Sequence, residues 1–206
     1  MPNVTEDDTR ARYIDPALRE AGWDNHTQVQ RNLAITDGRI MVKGKMTARG
    51  KKKFADYALS IIPNSIIAII EAKHVGKRLG TGMQQALDYA DMLDVPFVFS
   101  TNGQGFLFHD KTNPSQLETE LRPEEFPSPD ELLAKYNRWK ELGEGDQQAI
   151  VQQPYYSDGS GKSPRYYQQI AIRRTLEAVA KQQERILLVM ATGTGKTFTA
   201  FQIIWR

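Results

Sequence analysis

The chain has 206 residues, 40% of them hydrophobic, and a formal net charge of +2, which suits one or two soluble domains and excludes a polycation. Cysteine is absent, so disulfide frameworks and thiolate metal sites are excluded, in agreement with a reducing cytoplasm. The acidic start is unlike a signal peptide and no apolar run is long enough to span a bilayer, so we predict a cytoplasmic protein with no membrane association.

The spacing of apolar residues predicts alternating helices and strands through the first 145 residues. The strand that ends in IIEAK is apolar almost throughout, as expected for a strand buried on both faces of a sheet. Asp37-Gly38 and Pro63-Asn64 are predicted to be turns between consecutive strands. In chain order we predict a helix over 5–21, strands over 27–35, 39–44, 54–62 and 65–73, a helix over 78–93, strands over 96–100 and 106–110, and a helix over 131–142.

The remainder of the chain predicts a linker and the start of a second domain. The region 143–164 has little apolar periodicity and several glycine, serine, proline and glutamine residues. We therefore divide the chain into a mixed α/β domain, a linker and an incomplete domain, since one strand and two helices cannot bury a core alone. The three parts are residues 1–145, 146–163 and 164–206, and the last contains a predicted helix over 164–183, a strand over 185–190 and a helix from 196.

Two carboxylates and a lysine form the most informative constellation of the first domain. Asp56 lies on one predicted strand, and Glu71-Ala72-Lys73 ends the next, so Glu71 and Lys73 share a face while Ala72 points into the core. If the two strands pair antiparallel, Asp56 comes near Glu71. The two carboxylates and the Ala72 carbonyl would suit Mg²⁺, and Lys73 would orient a water for phosphodiester hydrolysis. A structural salt bridge between Lys73 and Asp56 is the alternative.

This arrangement resembles the PD-(D/E)xK nuclease superfamily, with Ala55 in place of the frequent proline. The resemblance implies a restriction-endonuclease-like mixed sheet flanked by helices. Gln85 and Tyr89 fit a Q-x-x-x-Y motif of some branches and would touch DNA or brace the lysine, whereas the alternative is a helix with a half-buried tyrosine. Glu6 resembles an acid that some members add to the metal site, whereas the alternative is a helix-start acid favoured by the dipole.

A cationic stretch precedes Asp56. Residues 43–53 contain six lysines and arginines and no acid, and we predict a mobile loop that contacts DNA phosphates without reading sequence. A merely solvated loop is the alternative. His74 follows Lys73 and is a candidate phosphate contact, although a lone histidine is more often structural.

The stretch VMATGTGKTFTA, residues 189–200, has the features of a phosphate-binding loop between a strand and a helix. Lys196 would reach the β- and γ-phosphates of ATP, and Thr197 would ligate Mg²⁺. Met190 stands where the general pattern has glycine or alanine, and ATGTGKT instead resembles motif I of superfamily 2 helicases. A glycine-rich turn without a ligand is the alternative. The residues assigned to ATP here are Gly193, Thr194, Gly195, Lys196 and Thr197.

Upstream, RYYQQIAI, residues 165–172, resembles the adenine-reading motif of the same helicases. Gln168 matches the glutamine that holds the adenine edge, a task that suits an amide because it offers a donor and an acceptor together. Tyr167 is a candidate stacking partner. An amphipathic helix with surface glutamines is the alternative.

The whole chain resembles the N-terminal part of the R subunit of type I restriction–modification enzymes. The resemblance is carried by TRARYIDPALREAGWD, by FADYALSI…IIEAKH with QQALDYADMLDVPFVFSTNGQGF, and by RYYQQIAI…LLVMATGTGKTFTAFQIIWR. It implies an ATP-dependent translocase and Mg²⁺-dependent endonuclease that cleaves double-stranded DNA away from its recognition site, with modification (M) and specificity (S) subunits as partners. We expect a fragment without significant ATPase activity of its own, because a downstream acidic motif and a second motor lobe are missing.

Two other functions stay open. A superfamily 2 helicase with a non-cleaving DNA clamp at its front would bind DNA with a steep salt dependence and never cut. A P-loop ATPase of another kind, with the acids and the lysine as a structural ion pair, would bind nucleotide but neither DNA nor a metal at Asp56.

Overall fold

The computed structural model describes residues 5–36, 40–43, 46–49, 53–115 and 118–206. The first segment is helical, as predicted: α1 (Glu6–Thr9) passes through a π-helical turn (Arg10–Ile14) into α2 (Asp15–Glu20). Thr5 and Asp8 cap the start of α1 reciprocally. Gly22 ends the segment at φ +91°, a conformation that favours glycine.

A six-stranded mixed sheet lies at the centre of the fold. The strands in the described residues are β1 (Val29–Thr36), β2 (Ile40–Lys43), β3 (Met46–Arg49), β4 (Lys53–Ser60), β5 (Ile66–Ala72), β6 (Phe97–Thr101), β7 (Phe106–Asp110) and β8 (Glu118–Leu121). The sheet has the order β1-β4-β5-β6-β7-β8, while β2 and β3 pair separately. Only β5 and β6 are parallel among the neighbours in this sheet as described.

Helices cover both faces of this sheet, which confirms the predicted mixed α/β architecture. On one face α3 (Met83–Leu93) connects β5 to β6 and packs over them. On the other face α2 and α4 (Pro129–Trp139) enclose a larger core. The α3 core includes Ile69, Ala86, Tyr89 and Val98, and the larger core includes Leu18, Trp23, Phe99 and Leu132.

The sequence predicted that residues 39–44 pair with β1 in a hairpin, and this prediction is wrong. Asp37-Gly38 lies outside the described residues, and β2 pairs with β3 rather than with β1. β1 pairs with β4, from Val29 opposite Leu59 to Thr36 opposite Lys53. Pairing with β4 joins β1 to the central sheet, where apolar residues of the two strands share buried faces, and this long-range gain outweighs the local turn signal.

Three further elements differ from the sequence prediction. α3 begins at Met83 and not at 78, because Gly80 has φ +85° and cannot continue a helix. β8 completes the sheet beside β7 and was not among the predicted strands. α5 (Asp146–Gln152) lies inside the predicted linker, and its Val151 is buried in the larger core.

The predicted strand over 185–190 is absent from the described structure. These residues carry no regular structure, since no described strand lies beside them to satisfy their backbone groups. Leu187 and Val189 are 88% and 83% exposed. A strand depends on a partner strand, so an apolar run alone did not form one here.

The two helices predicted for the last part of the chain are α6 (Tyr166–Ala180) and α7 (Lys196–Trp205). Gln202 of α7 binds the main chain of Tyr156 twice, accepting its N–H at 2.9 Å and donating to its carbonyl at 3.0 Å. Part of the predicted linker is therefore fixed to α7, while the division into domains stays a prediction. None of the helices in the described ranges is long and apolar enough to cross a membrane.

Candidate active site

Asp56 and Glu71 lie on neighbouring antiparallel strands, as the sequence predicted. Tyr57 is opposite Ile70 in the β4–β5 ladder, and the same register places Asp56 opposite Glu71. Residues directly opposite in an antiparallel pair point to the same face. Asp56 Oδ2 accepts a hydrogen bond from the N–H of Ala72 at 2.7 Å, which fixes the Asp56 carboxylate at the end of β5.

The Glu71 carboxylate is buried and only half satisfied. Its side chain is 2% exposed, and Oε1 accepts a hydrogen bond from Lys73 Nζ at 2.6 Å. Oε2 is buried and has no hydrogen-bond partner. Burial raises the pKa of Glu71 to about 7, Asp56 adds to this increase, and Lys73 opposes it. A buried carboxylate with one free oxygen favours an additional cation or proton.

Lys73 shares the face of Glu71 and points to it. The alternative interpretation was a salt bridge between Lys73 and Asp56. The structure instead pairs Lys73 Nζ with Glu71. Burial opposes the charge of this ammonium group, but the hydrogen bond and charge of Glu71, with the charge of Asp56, raise the pKa of Lys73 on balance. Lys73 is therefore a protonated hydrogen-bond donor beside the two carboxylates.

Arg10 is a member of this cluster that the sequence analysis missed. Its guanidinium is 12% exposed, contacts Asp56 Oδ1 through Nη2 and pairs with Glu6 Oε1 at 2.8 Å. Glu6, singled out from the resemblance, is thus linked to Asp56 through Arg10. The signal was available in part, because Glu6 and Arg10 are four residues apart on one helical face.

Gln85 and Tyr89 share one face of α3, as predicted. Gln85 Nε2 donates to the Tyr89 hydroxyl at 3.0 Å, and Tyr89 is buried. Burial raises the pKa of Tyr89, and the charges of Glu71 and Asp56 act in the same direction. The Tyr89 hydroxyl therefore lies within electrostatic reach of the carboxylates, while its contact with DNA or with Lys73 stays a prediction.

A close approach between α3 and β5 brings Tyr89 to this position. A Cβ atom on Gly82, which precedes α3, would lie 2.7 Å from Glu71 Cγ and 3.2 Å from Ser100 Oγ. The N–H of Gly82 donates to Ser100 Oγ at 3.1 Å. Only a residue without a side chain fits this contact, and the sequence analysis did not identify it.

The predictions for His74 and for the cationic stretch 43–53 have different outcomes. His74 Nδ1 accepts a hydrogen bond from the N–H of Gly76 at 3.1 Å, which is a local turn contact. Residues 43–53 were predicted to be a mobile loop, but 40–43 and 46–49 pair as β2 and β3. Lys45, Lys51 and Lys52 lie outside the described residues, and contact of this stretch with DNA stays a prediction.

The cluster fits a divalent cation by the chemistry of its oxygens. Asp56 and Glu71 supply two adjacent carboxylates, and Glu71 Oε2 is a buried acceptor without a partner. No group of three or more acidic, histidine or cysteine side chains suited to a metal occurs in the described part of the chain. Mg²⁺ commonly binds to one or two carboxylates and retains several waters, so two carboxylates are sufficient. The Ala72 carbonyl as a ligand stays a prediction.

A second candidate site lies at the start of α7. Gly193 and Gly195 have φ +79° and +80°, and Gly195 precedes the first residue of α7, Lys196. Lys196 Nζ donates to the Met190 carbonyl at 3.3 Å, so its ammonium group folds back over the loop. Backbone N–H groups at a helix start with left-handed glycines form the type of loop that binds phosphate.

Gln168 holds this loop from α6. Its Oε1 accepts from the Arg165 N–H and its Nε2 donates to the Thr194 carbonyl, both at 2.9 Å. A Cβ atom on Gly195 would lie 2.5 Å from Gln168 Nε2. Tyr167 borders a cavity of about 710 Å³ between α6 and residues 183–191. The alternative of surface glutamines is wrong for Gln168, which is buried, whereas its contact with adenine stays a prediction.

Comparisons with known proteins cover both regions of the chain. The chain is 50% identical over 208 aligned residues to the type I restriction enzyme EcoAI endonuclease subunit of Escherichia coli, covering 100% of this chain and 26% of that protein. This chain is homologous to the endonuclease subunits of type I restriction enzymes. The EcoKI endonuclease subunit of Escherichia coli strain K12 is 28% identical, covering 99% of this chain and 21% of that protein.

A solved structure and a family model extend the comparison. A fragment of an HsdR subunit of a type I restriction enzyme from Vibrio vulnificus YJ016 is 40% identical with a TM-score of 0.85, covering 100% of this chain and 38% of that chain. The family described as the type III restriction enzyme res subunit matches residues 161–206. The whole-chain matches are to type I proteins. The chain spans about a quarter of the length of the curated relatives it matches.

Proposed function

We propose that this chain is part of a type I restriction endonuclease subunit that cleaves double-stranded DNA in a Mg²⁺-dependent reaction. The catalytic residues of this proposal are Asp56, Glu71 and Lys73. We further propose that residues 164–206 begin an ATP-binding translocase domain, and that modification and specificity subunits are the partners. The division at 1–145 and 146–163 belongs to the same proposal. Homology to type I endonuclease subunits supports it.

The buried carboxylate of Glu71 is the observation that carries the nuclease proposal. Its Oε2 lacks a partner, although Asp56 lies beside it and Lys73 binds its other oxygen. A protein gains little stability from such an arrangement, because an unsatisfied buried polar group is costly. A buried carboxylate oxygen without a hydrogen-bond partner is more easily explained at a binding site than in a packed core.

The side chains of the cluster have separable roles in DNA hydrolysis. Mg²⁺ would supply Lewis-acid polarisation of the scissile phosphate. Asp56 and Glu71 would hold the ion, and the N–H of Ala72 keeps Asp56 in place. Lys73 would orient a water or the phosphate, because its protonated amine is a donor beside both acids. Gln85 and Tyr89 would brace this face from α3.

The loop at α7 supports the ATP proposal. Gly193, Thr194 and Gly195 would surround the phosphates, Lys196 would pair with them and Thr197 would ligate Mg²⁺. Gln168 still has a second amide hydrogen and a second oxygen lone pair after its two contacts in the protein. It would therefore be able to bind adenine without releasing the loop.

Cleavage assays with the full-length subunit and its partner subunits test the nuclease site. We expect Asp56→Ala, Glu71→Ala and Lys73→Ala to lose DNA cleavage by at least about 100-fold, since each removes a group that acts in the reaction, while ATP hydrolysis persists. Asp91→Ala is a matched control, because it removes an exposed carboxylate from α3. Cleavage that survives Asp56→Ala would contradict the site assignment.

A structural ion pair is the second candidate for this cluster, favoured by the 2.6 Å contact between Lys73 and Glu71. A P-loop protein of this kind would have no metal at Asp56. Metal titration of the 206-residue chain separates the two functions, because only the nuclease site predicts Mn²⁺ binding that is lost in Asp56→Ala.

A further inference from the structure

Arg10 occupies a position in the cluster that the nuclease proposal does not explain. Its Nη2 lies between Asp56 Oδ1 and Glu6 Oε1 and contacts both carboxylates. The side chain is 12% exposed, so the guanidinium is largely removed from water. A buried cation between two carboxylates neutralises part of their mutual repulsion.

The other carboxylate oxygens show which atoms remain for a metal ion. Asp56 Oδ2 is held by the N–H of Ala72, and Glu71 Oε1 is held by Lys73. Glu71 Oε2 is buried without a partner. Glu71 Oε2 has no donor that would compete with a cation, and Asp56 Oδ1 is the Asp56 oxygen that Arg10 contacts. A divalent cation that binds Asp56 through Oδ1 would therefore meet Arg10 directly.

We propose that Arg10 is a placeholder cation, which holds Asp56 Oδ1 in the metal-free protein and is displaced when a divalent cation binds. This inference rests on the proposed function, since it requires the metal site at Asp56. A metal ion and a guanidinium on the same oxygen would repel each other in a poorly hydrated site. The metal therefore competes with Arg10, and its apparent affinity falls.

Arg10 has further partners besides Asp56, and it would keep them after displacement. Its Nη1 lies 3.4 Å from Asp7 Oδ1 and 3.3 Å from Asn32 Oδ1, and neither atom belongs to the proposed metal site. Glu6 remains as a third partner on the same helical segment. The guanidinium can leave Asp56 without losing all of its hydrogen bonds.

The effect of removing Arg10 on metal affinity distinguishes this role from simple positioning of Asp56. If Arg10 only fixes the orientation of Asp56, its removal disorders the carboxylate and weakens metal binding. If Arg10 is a competitor, its removal strengthens metal binding and at the same time destabilises the metal-free protein, because Asp56 and Glu6 lose their cation.

Calorimetric Mn²⁺ titration of the 206-residue chain tests the proposal with wild type, Arg10→Gln and Asp56→Ala. We expect Arg10→Gln to bind Mn²⁺ about tenfold more tightly than wild type, a change of the size that one lost charge contact produces. Its thermal midpoint should be lower than that of wild type in EDTA and should rise more on addition of Mn²⁺. Arg12→Gln is the matched control, because Arg12 is 65% exposed and pairs only weakly with Asp8 at 3.8 Å.

A second measurement observes Arg10 in the wild-type protein. In wild type labelled with ¹⁵N-arginine, Mg²⁺ should shift the Nε–H signal of Arg10 and leave that of Arg12 in place, with Arg10→Lys used for assignment. An Arg10 signal that stays constant at saturating Mg²⁺, or an affinity in Arg10→Gln equal to or weaker than wild type, overturns the placeholder role and leaves the metal site intact. Absence of Asp56-dependent binding in every variant overturns the placeholder role and the proposed metal site together.

Discussion

Arg173 of α6 donates hydrogen bonds to the main-chain carbonyl and to Oδ2 of Asp94, the residue that ends α3. Asp94 has φ +55°, the left-handed conformation that is common where a helix ends. α6 begins near Gln168, which holds the candidate ATP loop, and α3 carries Tyr89 near the carboxylates. The pair therefore connects, through two helices, the two candidate sites.

Loss of Arg173 should destabilise the fold. Arg173→Ala removes a buried cation from Asp94 and from Glu177, leaving both acids and a carbonyl less satisfied. We expect a decrease of about 2–4 kcal/mol in the free energy of unfolding, measured by urea denaturation. Arg174→Ala is the matched control, because Arg174 binds the same Asp94 but is 64% exposed, and we expect a decrease below about 1 kcal/mol. Equal effects of the two variants would show that the buried contact is not the stabilising one.

Glu71 should make the metal-free protein less stable as pH rises. Its pKa is raised to about 7 from an ordinary value of 4.5, so between these values the folded state binds more protons than the unfolded state and stability decreases with pH. Glu71→Gln removes this dependence. In EDTA its advantage over wild type should grow between pH 4.5 and 7 and reach on the order of 2 kcal/mol. A constant difference across this window, measured by denaturation at each pH, would contradict the assignment.

Gly195 should be essential for the shape of the candidate ATP loop. Gly195→Ala introduces a Cβ atom 2.5 Å from Gln168 Nε2 at φ +80°. We expect binding of a fluorescent ATP analogue to decrease at least about tenfold, because both the backbone and the Gln168 contact must change. Gly193→Ala has the same backbone requirement, with φ +79°, but no atom within 4 Å of the added Cβ. A larger loss in Gly193→Ala than in Gly195→Ala would show that the Gln168 contact does not matter.

Gly82 should tolerate no side chain although its backbone is unstrained. Gly82→Ala places Cβ 2.7 Å from Glu71 Cγ, so the Glu71 side chain or the start of α3 must shift. We expect destabilisation of about 1–3 kcal/mol together with reduced DNA cleavage by the full-length subunit. In Gly143→Ala, the control, the added Cβ would meet only the Gln147 side chain, at 3.3 Å, and we expect less than about 0.5 kcal/mol. Cleavage at the wild-type rate by Gly82→Ala would show that the position of α3 does not affect the reaction.

Local patterns in the sequence predicted the strands and helices whose apolar residues form the core. The apolar run of β5 and the turn at Pro63-Asn64 predicted the strand pair, and the structure confirms its antiparallel register. That register brings Asp56 and Glu71 together. The spacing of Gln85 and Tyr89 on one helical face is also confirmed.

Features that depend on distant partners were not predictable from local patterns. β1 pairs with β4 and not with its neighbour in sequence, and residues 185–190 have no partner strand in the described structure. Arg10 reaches Asp56 over 46 positions of sequence. Such contacts depend on which faces meet in the folded chain, and hydrophobic periodicity does not contain this information.

The exposed segment at residues 185–190 also affects how the chain behaves at high concentration. Leu187 and Val189 face solvent, and the backbone of the segment belongs to no helix or strand. Such a segment is a template for intermolecular β-pairing, so it is a source of aggregation. The colloidal stability of this polypeptide is therefore expected to depend more on these few residues than on the thermodynamic stability of its sheet.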